Sequence, residues 1–418
     1  GLAPALGLGS VRPGEVLKEQ NRTLAGDRHV RLRGVLVVAQ IAMSFALIAA
    51  AGLFVRTFTT LVSTPLGFNA ERLLIVNVNA RPAGLPPAQQ LSLFERATEA
   101  VASAQGVSRA SLSFLTPMSG RGWNNRIEVA GRPALTGRNQ VTWVNAVGPG
   151  WFDTYGMRLL AGRDISAADV LGAEPVAVVN ESFAGRFFPG RSPLGQRITT
   201  TGPEKKDRVI VGVVNDAVYR TVRAGVVPTM YLPMVQAGPP GAAVSITARL
   251  SADRLVVERR IAEAVSRVAP DFMLSFRDYS DQVRATVVQE RLVALLSGFF
   301  GLLAVLLAAM GLYGVTSYSV TQRRPELAIR LALGASASGV VRLVLGRVAA
   351  LMVAGLLIGL TLIYWSSRYI NGLLFKVDAT DPVTLGGAVI MLVTVGALAA
   401  WLPARGVSRL DPVKALRQ

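Results

Sequence analysis

The sequence predicts an α-helical membrane protein with four transmembrane helices and a large α+β extracytoplasmic domain. Three observations predict it. Of 418 residues, 51% are hydrophobic and only 17% charged, with a mean hydropathy of +0.42, outside the range of ordinary soluble chains. Four apolar stretches free of Asp, Glu, Lys and Arg are long enough to cross a bilayer. More than 230 residues with alternating strand and helix periodicity separate the first two stretches.

The same composition excludes much chemistry. With no cysteine, disulfide scaffolds, thiolate zinc sites, iron–sulfur clusters and cysteine nucleophiles are ruled out together. The single histidine, His29, lies in a charged tail and reads as solvated; one imidazole there cannot build a serine triad, a His-rich metal site or HExxH. No catalytic residue, metal site or cofactor is expected. No GxxxxGK[ST] loop is present, so ATP hydrolysis by this chain is not expected either. The net charge of +18 raises nucleic acid as a partner, but basic loops flanking membrane helices account for it, and none is expected.

Residues 34–55 are bounded by Arg31 and Arg33 before and Arg56 after, with Gln40 and Ser44 as their clearly polar members. That is span length. Residues 292–322 form a second stretch, which at about 1.5 Å per residue reaches roughly 46 Å and so projects beyond the hydrocarbon on one side. Residues 348–367 and 382–404 supply the third and fourth. No Asp, Glu, Lys or Arg interrupts the four, which argues against an ion path or proton relay. Their glycines read as helix-packing positions rather than a substrate groove: Gly298, Gly301, Gly311 and Gly314 in the second span, and Gly355 and Gly359 as a GxxxG pair in the third.

Short flanking segments set the orientation. The tail of residues 1–33 carries Arg12, Lys18, Arg22, Arg28, Arg31 and Arg33 against Glu15, Glu19 and Asp27. Residues 323–347 carry Arg323, Arg324, Arg330, Arg342 and Arg347 against Glu326, and residues 405–418 hold four basic side chains against Asp411. By contrast, residues 368–381 balance Arg368 and Lys376 with Asp378 and Asp381. Both termini and the 323–347 loop are therefore expected in the cytoplasm, and residues 56–291 outside. A long translocated domain escapes the charge rule.

Within that domain, residues 73–78 read as a strand, 86–104 as an amphipathic helix with Leu91, Phe94, Ala97, Ala100 and Val101 on one stripe, and 107–114 as a second strand. A matching unit follows late, with strands at 243–250 and 272–276 around a helix at 253–268. Between the two lies an insertion, about residues 116–235, with strand-like runs at 126–130, 141–147, 175–180 and 208–214 punctuated by Gly and Pro turns. Glu95 and Glu99 stand four apart on the first helix and read as a solvated face rather than a catalytic carboxylate pair. Beyond the first span, Phe54, Phe58 and Leu61 continue a helical stripe. Before the second, residues 279–291 place Val283 and Val287 on another. The two stripes are expected to form a stalk, and an ordinary connection is the alternative.

Several ordered motifs then become recognisable. They are Val38-Ala39-Gln40-Ile41-Ala42 in the first span, Gly150-Trp151-Phe152-Asp153-Thr154-Tyr155-Gly156, Ala161-Gly162-Arg163-Asp164, Val178-Val179-Asn180-Glu181-Ser182-Phe183 and Ile210-Val211-Gly212-Val213-Val214. Most specific are Gly311-Leu312-Tyr313-Gly314, the run from Arg324-Pro325-Glu326-Leu327 to Leu333-Gly334-Ala335, and Pro403-Ala404-Arg405 leading to Asp411-Pro412-Val413-Lys414. Each alone is weak; their succession across nearly the whole chain resembles the MacB/FtsX-like permeases of ABC transporters, and most closely half of the acidobacterial duplicated orphan permeases. In that light the start, from Gly1 through Leu17-Lys18-Glu19, resembles a linker between halves, and the chain is expected to be the C-terminal half of a doubled protein.

The resemblance implies a MacB-like periplasmic core over residues 56–291, made of a porter-like part and the inserted subdomain, and an FtsX-like permease domain over 292–418. It also implies a bacterial inner-membrane location, a separate cytoplasmic ATPase, a second permease unit and surrounding lipids as partners, and movement of the outer domain driven by nucleotide, for export. Arg323, Arg324, Glu326, Leu327, Ile329, Arg330 and Leu333 are the expected ATPase contact, on a short amphipathic helix. Glu326 and Arg330 also stand at pairing distance on a helix, an effect of only about 0.2–0.5 kcal/mol, and anchoring at the membrane surface is the competing use of the segment. Pro325 departs from the residue common in the family; it suits the first helical position but shifts where the helix begins. A signal transducer or scaffold regulating an external protein such as a cell-wall enzyme is the second expectation. A tethered hydrolase lacks a catalytic set.

Overall fold

The computed structural model describes residues 22–80, 86–132, 135–201, 205–238, 241–322 and 337–407. The chain divides into two compact units, Leu61–Gln289 and the remainder, Gly1–Thr60 with Glu290–Gln418.

The membrane unit contains four long helices: α1 (Arg22–Ser63), which continues into the other unit for its last three residues, α7 (Val288–Gln322), α8 (Ala337–Ile370) and α9 (Pro382–Val407). Each contains a segment long and apolar enough to cross a membrane. They share one core, with Ile41 and Phe45 from α1, Ala304 and Leu312 from α7, Val348 and Met352 from α8, and Leu392 and Ala400 from α9. Helix α1 is the most enclosed: 44% of its apolar window is buried, against 22–28% in the other three. Tyr364, Trp365 and Tyr369 stand exposed near the end of α8, and Trp401 near the end of α9, as expected of aromatic side chains at a membrane interface. Helix α1 runs past Arg56, where the uncharged stretch ends, and Arg56 pairs there with Asp381.

In the outer unit, β1 (Leu73–Asn79), α2 (Pro87–Ala102) and β2 (Val107–Ser113) are matched by β10 (Ala243–Leu250), α5 (Arg254–Val268) and β11 (Met273–Asp278). These strands lie antiparallel in the order β11-β1-β10-β2. Alternation along β1 sends Leu74, Val76 and Val78 into a core shared with Phe94 of α2 and Ile261 of α5. The intervening Leu73 and Ile75 enter a second core on the opposite face. Two buried faces explain why β1 reads as an unbroken apolar run.

The insertion comprises β3 (Trp123–Val129), β4 (Val141–Val147), α3 (Trp151–Tyr155), β5 (Leu159–Gly162), β6 (Val176–Asn180), α4 (Glu181–Phe187), β7 (Arg197–Thr201), β8 (Lys206–Val214) and β9 (Thr229–Pro233). Its strands continue the same hydrogen-bonded sheet, joined to β2 by one register pair, Ser113 with Val147. Sequence patterning misses β5, β7 and β9. Strand β9 is buried throughout and so shows no alternation, while β5 is a four-residue strand whose residues are all exposed and which, among the described residues, pairs with β8 alone. The helix expected over residues 279–291 is instead two: α6 (Tyr279–Ala285) closes at Thr286, and α7 starts afresh at Val288. Three consecutive β-branched residues, Thr286, Val287 and Val288, weaken the helix there, and the Thr286 hydroxyl donates to the Val283 carbonyl at 2.7 Å.

Candidate functional site

Helix α1 is the hub of the membrane unit, and glycines on its neighbours make the approach possible. A side-chain carbon at Gly355 would fall 2.5 Å from Ile41 Cγ2, one at Gly359 2.7 Å from Phe45 Cδ1, and one at Gly301 2.9 Å from Ala51 Cβ. At Gly311 it would strike the Gln40 amide. Gln40 uses that space to donate from Nε2 to the Leu307 carbonyl at 2.7 Å, a polar staple between α1 and α7. Gly298 and Gly314 differ from expectation: among the described residues no atom lies within 4 Å of a side-chain carbon built at either, so neither packs against a described helix.

The segment between α8 and α9 closes over α1. Leu53 is buried with Leu374 and Ala379, and Phe54 packs against this small cluster rather than along a stalk. Asp381 caps α9 by accepting from Thr384 N at 2.8 Å and Thr384 Oγ1 at 2.6 Å, and it also pairs with Arg56. The Thr384 hydrogen bonds, then the Arg56 charge, hold its carboxyl below the ordinary carboxylate range.

Of the remaining stalk residues, Leu61 is buried, Phe58 and Val287 are half-buried, and Val283 packs against the second core of the outer unit. That core is where the segment following α1 is fastened. Phe68 meets Tyr155 and Tyr279 edge to face, each with ring centroids 5.6 Å apart, and Tyr155 and Tyr279 close the triangle at 5.7 Å. Tyr155 bonds Thr247 of β10 at 2.8 Å, and Tyr279 donates to the Pro117 carbonyl at 2.6 Å. Burial pushes both phenols well above their ordinary pKa, so they act as neutral hydrogen-bonding groups.

Around the triangle, backbone and side-chain bonds stitch residues 66–72 to both parts of the outer unit. Val218 N donates to Leu66 O at 2.8 Å, Asn215 Nδ2 to Gly67 O at 2.7 Å, and Asn69 N to Tyr155 O at 2.9 Å. Only glycine fits at 67, which has φ +82° and whose absent side chain would overlap the Asp216 carbonyl. From β10, the Arg249 guanidinium donates to the carbonyls of Thr154 (2.9 Å), Glu71 (3.1 Å) and Asn69 (2.9 Å). The Gly150–Gly156 motif is explained here: left-handed glycines flank the five-residue α3, which presents Trp151, Phe152 and Tyr155 to this core. Asn215 and Asp216 went unmarked in the sequence, although two polar residues directly after the apolar run of β8 were the available signal.

A cleft of about 500 Å³ lies between α2 and the insertion, lined by Ala102, Leu112, Val147, Val170 and Met234, with Glu95 and Glu99 on its α2 wall. The two carboxylates expected on a solvated face are exposed, as expected, and stand at the rim of this cleft. Burial, then the Glu99 charge, raises the Glu95 pKa. Elsewhere Arg208 is buried with its Nε and Nη1 unpartnered; desolvation pushes its pKa down to about 10. Among the described residues no group of three His, Asp or Glu stands ready to hold a metal ion. The expected ATPase contacts Arg323, Arg324, Glu326, Leu327, Ile329, Arg330 and Leu333 lie outside the described residues.

Residues 35–264 match the MacB-like periplasmic core domain and residues 298–412 the FtsX-like permease C-terminal domain. Among curated relatives, the macrolide export ATP-binding/permease protein MacB of Mannheimia succiniciproducens is 24% identical over 320 residues, covering 73% of this chain and 47% of that protein. The protein of the same name from Sodalis glossinidius is 26% identical over 296 residues, covering 67% and 44%. The chain thus spans under half the length of these relatives. Among solved structures, the periplasmic region of MacB from Actinobacillus actinomycetemcomitans aligns with a TM-score of 0.36 at 17% identity, covering 55% of this chain and 97% of that one. The extracellular domain of the ABC-type transporter YknZ from Gram-positive bacteria aligns at 0.32 with 13% identity, covering 48% and 99%. With a family model spanning more than half of its length and a second covering the last three apolar helices, the chain belongs to the MacB/FtsX-like permease family of ABC transporters.

Proposed function

We propose that this chain is a permease subunit that carries ATP-driven conformational change from a separate cytoplasmic ABC ATPase to its outer domain, in the service of export across the bacterial inner membrane. The observation that carries this reading is the fastening of residues 66–72 and of Tyr279 into one aromatic core shared with the insertion. The segment that follows α1 and the helix that precedes α7 meet the same few side chains, so displacing either one acts on both parts of the outer unit. Packed interfaces of this kind shift between discrete arrangements rather than deform smoothly. Gly- and Gln40-mediated packing places α1 against all three other membrane helices in the same spirit.

In this reading both termini and the 323–347 loop are cytoplasmic, the loop receives the ATPase, and two permease units assemble. The chain moves and does not catalyse. The relatives' printed names, which join ATP binding to permease and to macrolide export, support the class of activity. Co-expression with a candidate ATPase tests it: the two should co-purify, and charge reversal at Glu326 and Arg330 should abolish stimulated ATP turnover and export together. Full coupling in the reversed variant would remove the loop from the mechanism.

A second reading, transduction to an external protein, is favoured by one observation: Leu159, Leu160, Val170 and Leu171 of the insertion stand exposed, Leu171 by 79%. A stable extracytoplasmic protein partner of the full chain, lost on Leu171→Asp, with export unaffected, would favour it.

A further inference from the structure

Helix α1 is gripped at a single turn by the segment that joins α8 to α9 and by the first turn of α9. Gly52, Leu53 and Arg56 are spaced to share one face of α1, and each meets a different group. A side-chain carbon built at Gly52 would fall 2.7 Å from Thr384 Cγ2, so backbone meets side chain there without a gap. Leu53 is fully buried against Leu374 and Ala379, and Arg56 pairs with Asp381.

The joining segment is a built structure. Ala379 N donates to Asn371 Oδ1 at 3.1 Å, Thr380 N and Oγ1 to Asp378 Oδ1 at 2.8 and 2.6 Å, and Asp381 N to Asp378 O at 3.0 Å. Lys376 holds φ +51°, a left-handed conformation uncommon outside glycine, with its Nζ 5.4 Å from the Phe375 ring centroid. Such a conformation persists where the surroundings over-determine it.

On either side of this turn α1 is held differently. Toward its start, α1 lies on Gly355 and Gly359 of α8, close contacts of the kind along which packed helices slide. Past its end, Phe68 is seated in the aromatic core. A rod gripped at one turn, free to slide on one side and fastened on the other, turns about the grip.

We propose that the segment of residues 371–381 is the fulcrum of α1, with Arg56 and Asp381 as positioning residues for coupling. The clasp stays closed while α1 tilts about it, so displacement of the helix on one side becomes displacement of residues 66–72 on the other. This rests on the reading of the chain as a driven subunit and adds where the pivot lies. A clasp that had to open in each cycle makes the opposite prediction for a covalent lock.

The test uses the full chain in lipid nanodiscs with its co-purifying ATPase, and reads the change in hydrogen exchange over residues 66–72 on trapping with ATP and vanadate. Asp381→Asn keeps an acceptor for Thr384 N but loses the charge that holds Arg56; it should shrink the change at least threefold while ATP turnover continues. Gly52→Cys/Thr384→Cys supplies the lock, because the two β-carbons stand about 4 Å apart, within the reach of a disulfide. Oxidised, the pair should leave the change intact on its own and restore it in Asp381→Asn; reduction should remove that rescue. Thermal melts check folding, and should Asp381→Asn fail to fold, Arg56→Gln breaks the same ion pair. A full change in a folded Asp381→Asn or Arg56→Gln chain, a change blocked by the oxidised pair, or cysteines that do not join would each overturn the fulcrum alone. A wild type in which trapping changes nothing would remove the driven-subunit reading and the fulcrum with it.

Discussion

Phe68 and Tyr279 meet edge to face with their ring centroids 5.6 Å apart, so a residue five positions beyond the end of α1 touches the residue that opens α6, 211 positions later. Edge-to-face aromatic pairs contribute about 1 kcal/mol beyond the area they bury. Phe68→Ala should destabilise the outer unit by about 2 kcal/mol, less than a fully buried phenylalanine because Phe68 is half-buried. Tyr279→Phe should cost about 1 kcal/mol, since the Pro117 carbonyl keeps a second donor, Gln282 Nε2, at 2.8 Å. A double-mutant cycle on Phe68→Ala and Tyr279→Ala, read by urea titration with tryptophan fluorescence, should return a coupling of about 1 kcal/mol; additivity would mean the two rings are neighbours without a joint.

Two arginines of the outer unit should behave oppositely. Arg249 satisfies three backbone carbonyls, and Arg249→Met should cost about 2 kcal/mol and loosen residues 69–71 in hydrogen exchange. Arg208 is a buried cation with two orphan nitrogens and one bond, to Gln236 O at 3.2 Å. Arg208→Met should be neutral or stabilising by up to about 2 kcal/mol. The same titration checks both, and a large loss at Arg208 would refute the reading of it as unpaired.

Alanine at the membrane glycines sorts contact from open surface by the sign of its effect. At Gly301, Gly355 and Gly359 the added methyl collides with α1, and stability in detergent should fall by about 1–3 kcal/mol. At Gly298 and Gly314 no described residue stands in the way, and the gain in helix propensity should raise stability by up to about 1 kcal/mol. Thermal melts of the monodisperse chain distinguish the two groups. A fall at Gly298 or Gly314 would instead identify an interface with a second copy.

Acid stability of the outer unit should depend on Asp169. Hydrogen bonds from Arg163, then from Ser166, hold its carboxyl below the ordinary 3.8. A folded-state pKa below the unfolded value contributes stability that is complete above pH 3.8 and is lost as the pH falls through the depressed value. Asp169→Asn should therefore lower the urea midpoint at pH 6 and narrow the gap to wild type below pH 3. A gap that stays constant with pH would show that the side-chain amide replaces the carboxylate fully.

Much of this arrangement was legible in the residues because it follows from local periodicity. The charge-free stretches marked the four membrane helices, and the paired strand–helix–strand units at residues 73–113 and 243–278 set up the four-stranded layer. What escaped depends on distant partners. Strand β9 is buried on both faces and gives no alternation, and α6 and α7 were merged because an apolar stripe does not reveal where Thr286 ends a helix. Gly298 and Gly314 look like Gly301 and Gly311 in sequence, and only the neighbouring helix separates them. The joint around Phe68 was invisible for the same reason: its members Phe68, Tyr155, Arg249 and Tyr279 are scattered along the chain, and none carries a local motif for contact with the others.

The central claim is that nucleotide acting on a separate ATPase moves the outer unit of this chain. Because the sequence has no cysteine, a single Ser103→Cys spin label reports on the outer unit alone, and the distance between labels in an assembled pair of permease units is measurable by double electron–electron resonance. With the ATPase bound, trapping it with ATP and vanadate should shift that distance distribution, and Glu326→Arg/Arg330→Glu should abolish the shift while leaving the unshifted distribution intact. An identical distribution with and without trapped nucleotide would contradict the account.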